Sequence, residues 1–334
     1  MYHKLLDRWD ERRAQRGGEF KIPTPFTLGS DLAFGSQAKA GSLAEFCDLA
    51  EAATLNPSFF SENDETTFYK KADGWIKFPS SISTQTDENN TVWAKVTEGS
   101  SSSHALIVFH HWNARARYRQ IANFFSKRGQ TVVEIAMPYH HERSRPGSAF
   151  ADHMLSPNLG LTIQSVRQAV LDGRKLVRIL DIEGYEKISV LGMSLGSWVA
   201  GLVAAHDPLV KNAALFLTAG RLADMVWTGR ATQHIRASFE GKIELQQLRA
   251  AWGPLNLENY TMQLARRDLN LELVLGTRDT VVLPKLSRQF IATLEDIGAK
   301  PRVLQLNCGH YSLSLPPYIV RAGYDVSRLL NRPA

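Results

Sequence analysis

Three features of the sequence predict an α/β fold in which a mostly parallel central sheet carries helices on both faces. Six short aliphatic runs occur between Ala105 and Leu306: ALIVF, TVVEIA, KISVLG, AALFL, LELVLG and RVLQL. Most are continuously apolar rather than alternating, as strands buried on both faces must be. Helical stretches separate them, and strands alternating with helices build parallel crossovers. A chain of 334 residues is long enough to enclose such a sheet in one large domain.

From the N-terminus, residues 4–16 read as a short helix with Leu5, Leu6 and Trp9 on its apolar side and Arg12, Arg13 and Arg16 in solvent. A second helix falls around residues 42–53, and residues 1–69 together form an N-terminal helical extension. Residues 70–334 form the main domain. It opens with WIKFPS at Trp75 and TVWAKV at Thr91, two strands whose polar connection suits an antiparallel pair and makes the sheet mixed. Residues 100–103, four serines, make a loop. Helices are expected at about 118–127, 161–181, 195–206 and 285–296, with Ile163, Val166, Val170, Val177 and Leu180 as the buried stripe of the second. Residues 221–267 exceed what one crossover needs and carry Trp227, Phe239, Trp252 and Tyr260, which suggests a helical cap inserted in the domain.

Composition narrows the function classes. At 44% hydrophobic and 22% charged residues the chain has the make-up of a soluble globular protein. Its net charge of +6 is spread among interspersed acids and bases, and no nucleic-acid-binding motif accompanies it. Two cysteines, Cys47 and Cys308, are too few for a disulfide scaffold and favour a reducing compartment. The first twenty residues lack a signal-length apolar stretch, and no run of 18 apolar residues exists. A cytoplasmic protein without stable membrane insertion is expected. There is no glycine-rich phosphate loop and no spaced metal-ligand motif, so neither cofactor nor metal is expected. An oligomer is compatible with all of this.

The stretch with the clearest chemistry is KISVLGMSLGSWVAG. Gly192-Met193-Ser194-Leu195-Gly196 fits the G-x-S-x-G pattern, in which a strand turns sharply into a helix and presents its serine at the sheet's carboxyl edge. ISVLG supplies the strand, and the flanking glycines give the strained turn room. Ala200, Gly201, Ala204 and Ala205 let the following helix approach the sheet. A serine hydroxyl attacks only when an imidazole can take its proton. In the chain order Ser, acid, His, the histidine follows the last strand, which selects His310 in LNCGHYS from ten histidines. Asp279, three residues past LELVLG, ranks first as the acid, ahead of Asp224 after AALFL; Glu272 lies inside a strand. An oxyanion hole needs two N–H donors. Leu195 supplies one, and HHWNARAR after ALIVF supplies the other, with Trp112 preferred and His111 second.

With these residues in this order, the chain resembles the α/β-hydrolase superfamily over about residues 75–330. Within it, HHWNARARYRQIA, MPYHHERSRPGS and GMSLGSWVAGLVAAHD resemble the branch named for α/β-hydrolase domain-containing protein eighteen. The resemblance implies a serine hydrolase that cleaves a small-molecule acyl ester. One departure concerns the oxyanion loop, where many members have His-Gly and this chain has His110-His111.

His110 and His111 follow one strand and His140 and His141 the next, so the two pairs can face each other near Ser194. They and Glu142 are expected to form hydrogen bonds that shape the loops, with one or two of the histidines lining the substrate pocket together with Arg143 and with Trp227 of the cap. Arg115, Arg117, Arg143 and Arg145 could bind a carboxylate or phosphate, and Trp227, Trp252 and Phe239 an apolar acyl group. Rival readings are a metal-dependent hydrolase built on the histidine pairs and a non-catalytic interaction protein on a hydrolase fold. The Ser-His-Asp set would equally serve an acyltransferase.

Overall fold

The computed structural model describes residues 2–16, 21–61, 68–100 and 103–332. Ser101 and Ser102 of the serine loop, and part of the N-terminal extension, lie outside the described residues. In chain order the helices α1 (Tyr2–Ala14), α2 (Ser30–Phe34) and α3 (Leu43–Leu55) precede strands β1 (Lys70–Ala72), β2 (Trp75–Pro79), β3 (Thr91–Thr97) and β4 (His104–Phe109). Then come α4 (Arg119–Ser126), β5 (Thr131–Ile135), α5 (Leu159–Ile182), β6 (Lys187–Met193), α6 (Leu195–His206) and β7 (Val210–Phe216). Four short helices follow: α7 (Leu222–Thr228), α8 (Gln233–Phe239), α9 (Leu245–Ala251) and α10 (Thr261–Leu264). The chain ends in β8 (Asn270–Gly276), α11 (Pro284–Asp296), β9 (Arg302–Leu306) and α12 (Tyr318–Leu330).

The strands form one sheet in the order β1-β2-β3-β5-β4-β6-β7-β8-β9. The pairings from β5 through β9 are parallel, and β1, β2 and β3 add antiparallel strands at one edge. Side-chain alternation along each strand divides the core in two. Ala105, Ile107 and Phe109 of β4 pack with α5 and α6, whereas Leu106 and Val108 pack with α4 and α12 on the opposite face. The chain runs outward in both directions from β4, so the loops after β4, β5 and β6 meet at a switch point, where open α/β sheets bind ligands.

All six aliphatic runs are strands, but β9 is not buried on both faces. It lies at the sheet edge beside β8 alone, and its side chains alternate between partly buried and exposed. Helix α1 also departs from expectation. Its buried residues are Leu6, Asp10 and Ala14, one helical stripe, whereas Leu5 is 56% exposed. Phe239 and Trp252 are fully buried with ring centroids 6.1 Å apart. They are core residues, and the expectation that they face an acyl group is corrected accordingly.

The histidine pairs brace two loops against each other. The Met137 N–H after β5 donates to His110 Nε2 (3.1 Å), so Nδ1 carries the proton and donates to the His111 carbonyl (2.9 Å). Reciprocally, the Asn113 N–H after β4 donates to His140 Nε2 (2.9 Å), and His140 Nδ1–H donates to the Pro138 carbonyl (2.8 Å). Every ring nitrogen of these two histidines is thus occupied. The expectation that they touch substrate is corrected, and a metal site on them would have to break both braces. Burial pushes His140 down to about 3 and His110 well below its ordinary value, so both are neutral at pH 7.

Arg143 is likewise structural. It is fully buried, pairs with the buried Asp172 (2.8 Å), and donates to the carbonyls of Asn89 (2.8 Å) and Ala136 (3.0 Å). Ser80 Oγ (2.8 Å) and the Ser81 N–H (3.0 Å) donate to the same aspartate. One ion pair therefore knots the β2–β3 connection, the end of β5 and α5, so Arg143 has no donor to spare for a substrate anion.

Two outcomes are expected. Arg143→Met strands the Asp172 carboxylate in the core and lowers unfolding free energy by about 3–5 kcal/mol in urea denaturation, with part of the loss recovered in Arg143→Met/Asp172→Leu. The unfolded chain protonates histidine near pH 6.5 while the folded state holds His110 and His140 neutral. Stability is therefore full above about pH 6.5 and falls with pH below it, by up to about 1.4 kcal/mol per unit for each such histidine. Urea midpoints at pH 7, 6 and 5 measure this, and His140→Asn should flatten the slope.

Candidate active site

Ser194 stands between β6 and α6 with φ 53° and ψ −124°, a backbone conformation that costs energy and persists only where its surroundings enforce it. Its neighbours explain how. A Cβ on Gly192 would collide with the Gly196 carbonyl, and a Cβ on Gly196 with the carbonyls of Phe109 and His110. The turn is thereby pressed onto the end of β4, which residues other than glycine would prevent. Ser194 occupies the N-cap position of α6, yet its side chain caps no helix N–H.

The hydroxyl instead meets His310, whose Nε2 lies 3.0 Å from Ser194 Oγ. His310 Nδ1 is 2.8 Å from Asp279 Oδ2. Asp279 is itself anchored, because its Oδ1 accepts the N–H groups of Val281 (2.7 Å) and Val282 (2.9 Å). An anchored carboxylate on Nδ1 requires the proton there and leaves the Nε2 lone pair facing the serine O–H. Ser194 and His310 are each 9% exposed and Asp279 3%, so the array is largely screened from water. Asp224, the runner-up acid, is bound by Arg249 at 2.6 Å and takes no part.

The N–H groups near this array are nearly all engaged. In the loop after β4, the His111 N–H donates to the Tyr118 hydroxyl (3.2 Å), Asn113 to His140, and Ala114 to the His111 carbonyl (3.3 Å). Among the described residues the Trp112 N–H bonds to no acceptor. Leu195, first residue of α6, has no intrahelical acceptor for its own.

His111 is half-buried. The Tyr118 hydroxyl, which accepts the His111 N–H, also meets His111 Nδ1. Burial, reinforced by nearby His310, pushes this histidine down to about 4. His141 is half-buried at φ 52°, its ring 4.7 Å from that of His110. Trp112 stacks on His234 and donates its indole N–H to the Ala151 carbonyl (2.9 Å). Trp227 packs against the core beneath Arg236. Two of the three other arginines are compensated, Arg117 by Glu142 (2.6 Å) and Arg145 by Asp152 (3.0 Å). Of the four, only Arg115 lacks a carboxylate partner among the described residues. Sequence reasoning did not single out Tyr118, Tyr311 or Asp10; for Asp10 the signal was present, four residues past Leu6 on the same helical stripe.

No family model matches the chain, and no curated protein matches it. Solved structures do. Acetyl xylan esterase 1 from Thermoanaerobacterium sp. is 15% identical with a TM-score of 0.57, over 95% of this chain and 99% of that one. An esterase of Pyrococcus furiosus is 16% identical with a TM-score of 0.54, over 83% and 95%. An acylaminoacyl peptidase of Pyrococcus horikoshii is 12% identical with a TM-score of 0.59, and the match covers 80% of this chain but 41% of that longer one. The nine-stranded, mostly parallel sheet with helices on both faces is the α/β-hydrolase fold.

Proposed function

We propose that the protein is a serine hydrolase cleaving a carboxylic ester through an acyl-enzyme. The observation that carries this reading is the array itself: Ser194 Oγ to His310 at 3.0 Å, and His310 to Asp279 at 2.8 Å. His310 Nε2 takes the hydroxyl proton as Oγ attacks the ester carbonyl carbon. The N–H groups of Leu195 and Trp112 receive the oxyanion. The C–O bond then breaks as His310 gives its proton to the departing alkoxide. A water, deprotonated by His310, attacks the acyl carbon, and the carboxylic acid leaves as Ser194 regains its proton. Asp279 accepts the Nδ1 hydrogen bond throughout and stabilises the transient imidazolium.

An apolar acyl group suits the site better than an anionic one, because Arg117, Arg143 and Arg145 are already paired and of these loop arginines only Arg115 is left to meet an anion. A cavity of about 740 Å³ between α4 and α12, lined by Ile121, Phe124, Phe216, Leu315 and Ile319, reaches Met193, though Ser194 and His310 are not among its lining residues. Met193 directly precedes the nucleophile, so an acyl chain has apolar space next to it. The narrower resemblance to the branch named above belongs to this reading and rests on HHWNARAR and MPYHHERSR. A cytoplasmic location fits Cys47 and Cys308, both free thiols. No helix among the described residues is long and apolar enough to cross a membrane.

A fluorophosphonate probe should label the wild type and not Ser194→Ala, and turnover of a panel of acyl esters should fall by about four orders of magnitude in that variant. Equal turnover by the two proteins on every active ester would defeat the proposal. Ile319→Trp, which fills the cavity, should raise KM for long-chain esters about tenfold and leave acetyl esters unchanged. An equal effect on both would remove the cavity from the substrate site.

A further inference from the structure

Helix α1 closes against the loop that carries His310, and its one buried acid bonds to the two residues that follow that histidine. Asp10 is 4% exposed. Its Oδ1 accepts the N–H groups of Tyr311 (2.6 Å) and Ser312 (2.9 Å), and its Oδ2 accepts the Ser312 hydroxyl (2.5 Å). The same hydroxyl oxygen accepts the Gly309 N–H (2.8 Å). Residues 309, 311 and 312 are thus joined through a single carboxylate. Even the glycine is explained, since a Cβ at Gly309 would overlap the Asp10 carboxylate.

A buried carboxylate loses much of its hydration, and charge-assisted hydrogen bonds must offset that loss. Here those bonds all go to Tyr311 and Ser312, and Ser312 relays the link to Gly309 on the other side of His310. The rest of α1 supports the contact. Asp7 pairs with Arg278, the neighbour of Asp279; Glu11 pairs with Arg230 at 2.6 Å; and Ala14 packs with Ala231, Val281 and Tyr311. One helix therefore binds the loop of the base and the loop of the acid together.

We infer that Asp10 is a positioning residue for the hydrolytic reaction: acting through the 309–312 loop, it holds His310 Nε2 on Ser194, which makes α1 part of the active-site scaffold. This rests on the reading of Ser194 as nucleophile. Asp10 itself touches no substrate.

The test compares steady-state kinetics of full-length variants on one active ester, normalised to folded protein. Asp10→Ala should lower kcat about 30-fold with KM within about threefold of wild type, the pattern of a misplaced catalytic group rather than a damaged binding site. Asp10→Asn, which keeps an acceptor for the Tyr311 and Ser312 N–H groups, should recover most of that loss. Ser312→Ala, which cuts the link to Gly309 without altering α1, should lower kcat severalfold, and it carries the test if Asp10→Ala does not fold. Glu11→Gln weakens the docking of α1 elsewhere and should keep wild-type kcat. The inference is overturned if folded Asp10→Ala or Ser312→Ala keeps wild-type kcat, if the loss lies in KM, or if Glu11→Gln loses as much. Turnover that survives Ser194→Ala sinks the functional reading instead, whereas Ser194-dependent turnover indifferent to Asp10 sinks only this inference.

Discussion

The close approach of the elbow to the end of β4 is the constraint on which the site depends. Ser194 adopts its strained backbone only because Gly192 and Gly196 let the turn lie against the Phe109 and His110 carbonyls. That contact sets where α6 begins and where the Leu195 N–H points. It also sets how near the loop after β4 must come. Strain of this kind is held by the packing around it, and the helix beyond is buried along nearly its whole length, from Leu195 to Ala205.

Around that contact, most of the polar groups at the carboxyl edge hold backbone rather than face a ligand. His110 and His140 exchange braces between two loops, Arg143 and Asp172 knot three segments, and Asp10 binds the loop of His310. Asp279 divides its two oxygens, one to backbone N–H groups and one to the imidazole. The reason is common to all of them: loops at the end of a sheet carry N–H and C=O groups that secondary structure does not satisfy, and buried ones need partners. Histidine-rich and arginine-rich loops beside Ser194 therefore look more chemically active in sequence than they are in space. Of the histidines on these loops, His310 is the one that meets the Ser194 hydroxyl.

The sequence by itself determined the α/β alternation, the positions of all six parallel strands and the order of Ser194, Asp279 and His310, because each rests on a local pattern. Continuous apolar runs mark doubly buried strands, a helical period marks α5, and a glycine-flanked serine after a strand marks a sharp turn. The three-residue β1 has no apolar pattern to read, and nothing local distinguishes an edge strand such as β9 from an inner one. Only the tertiary structure showed that Asp279 rather than Asp224 meets His310, and that His110, His140 and Arg143 brace backbone. Those choices depend on which partner, tens or hundreds of residues away, reaches each polar atom. The role of Asp10 is the extreme case, since an acid in the first helix meets its loop 302 residues later, a distance that no periodicity or motif spans.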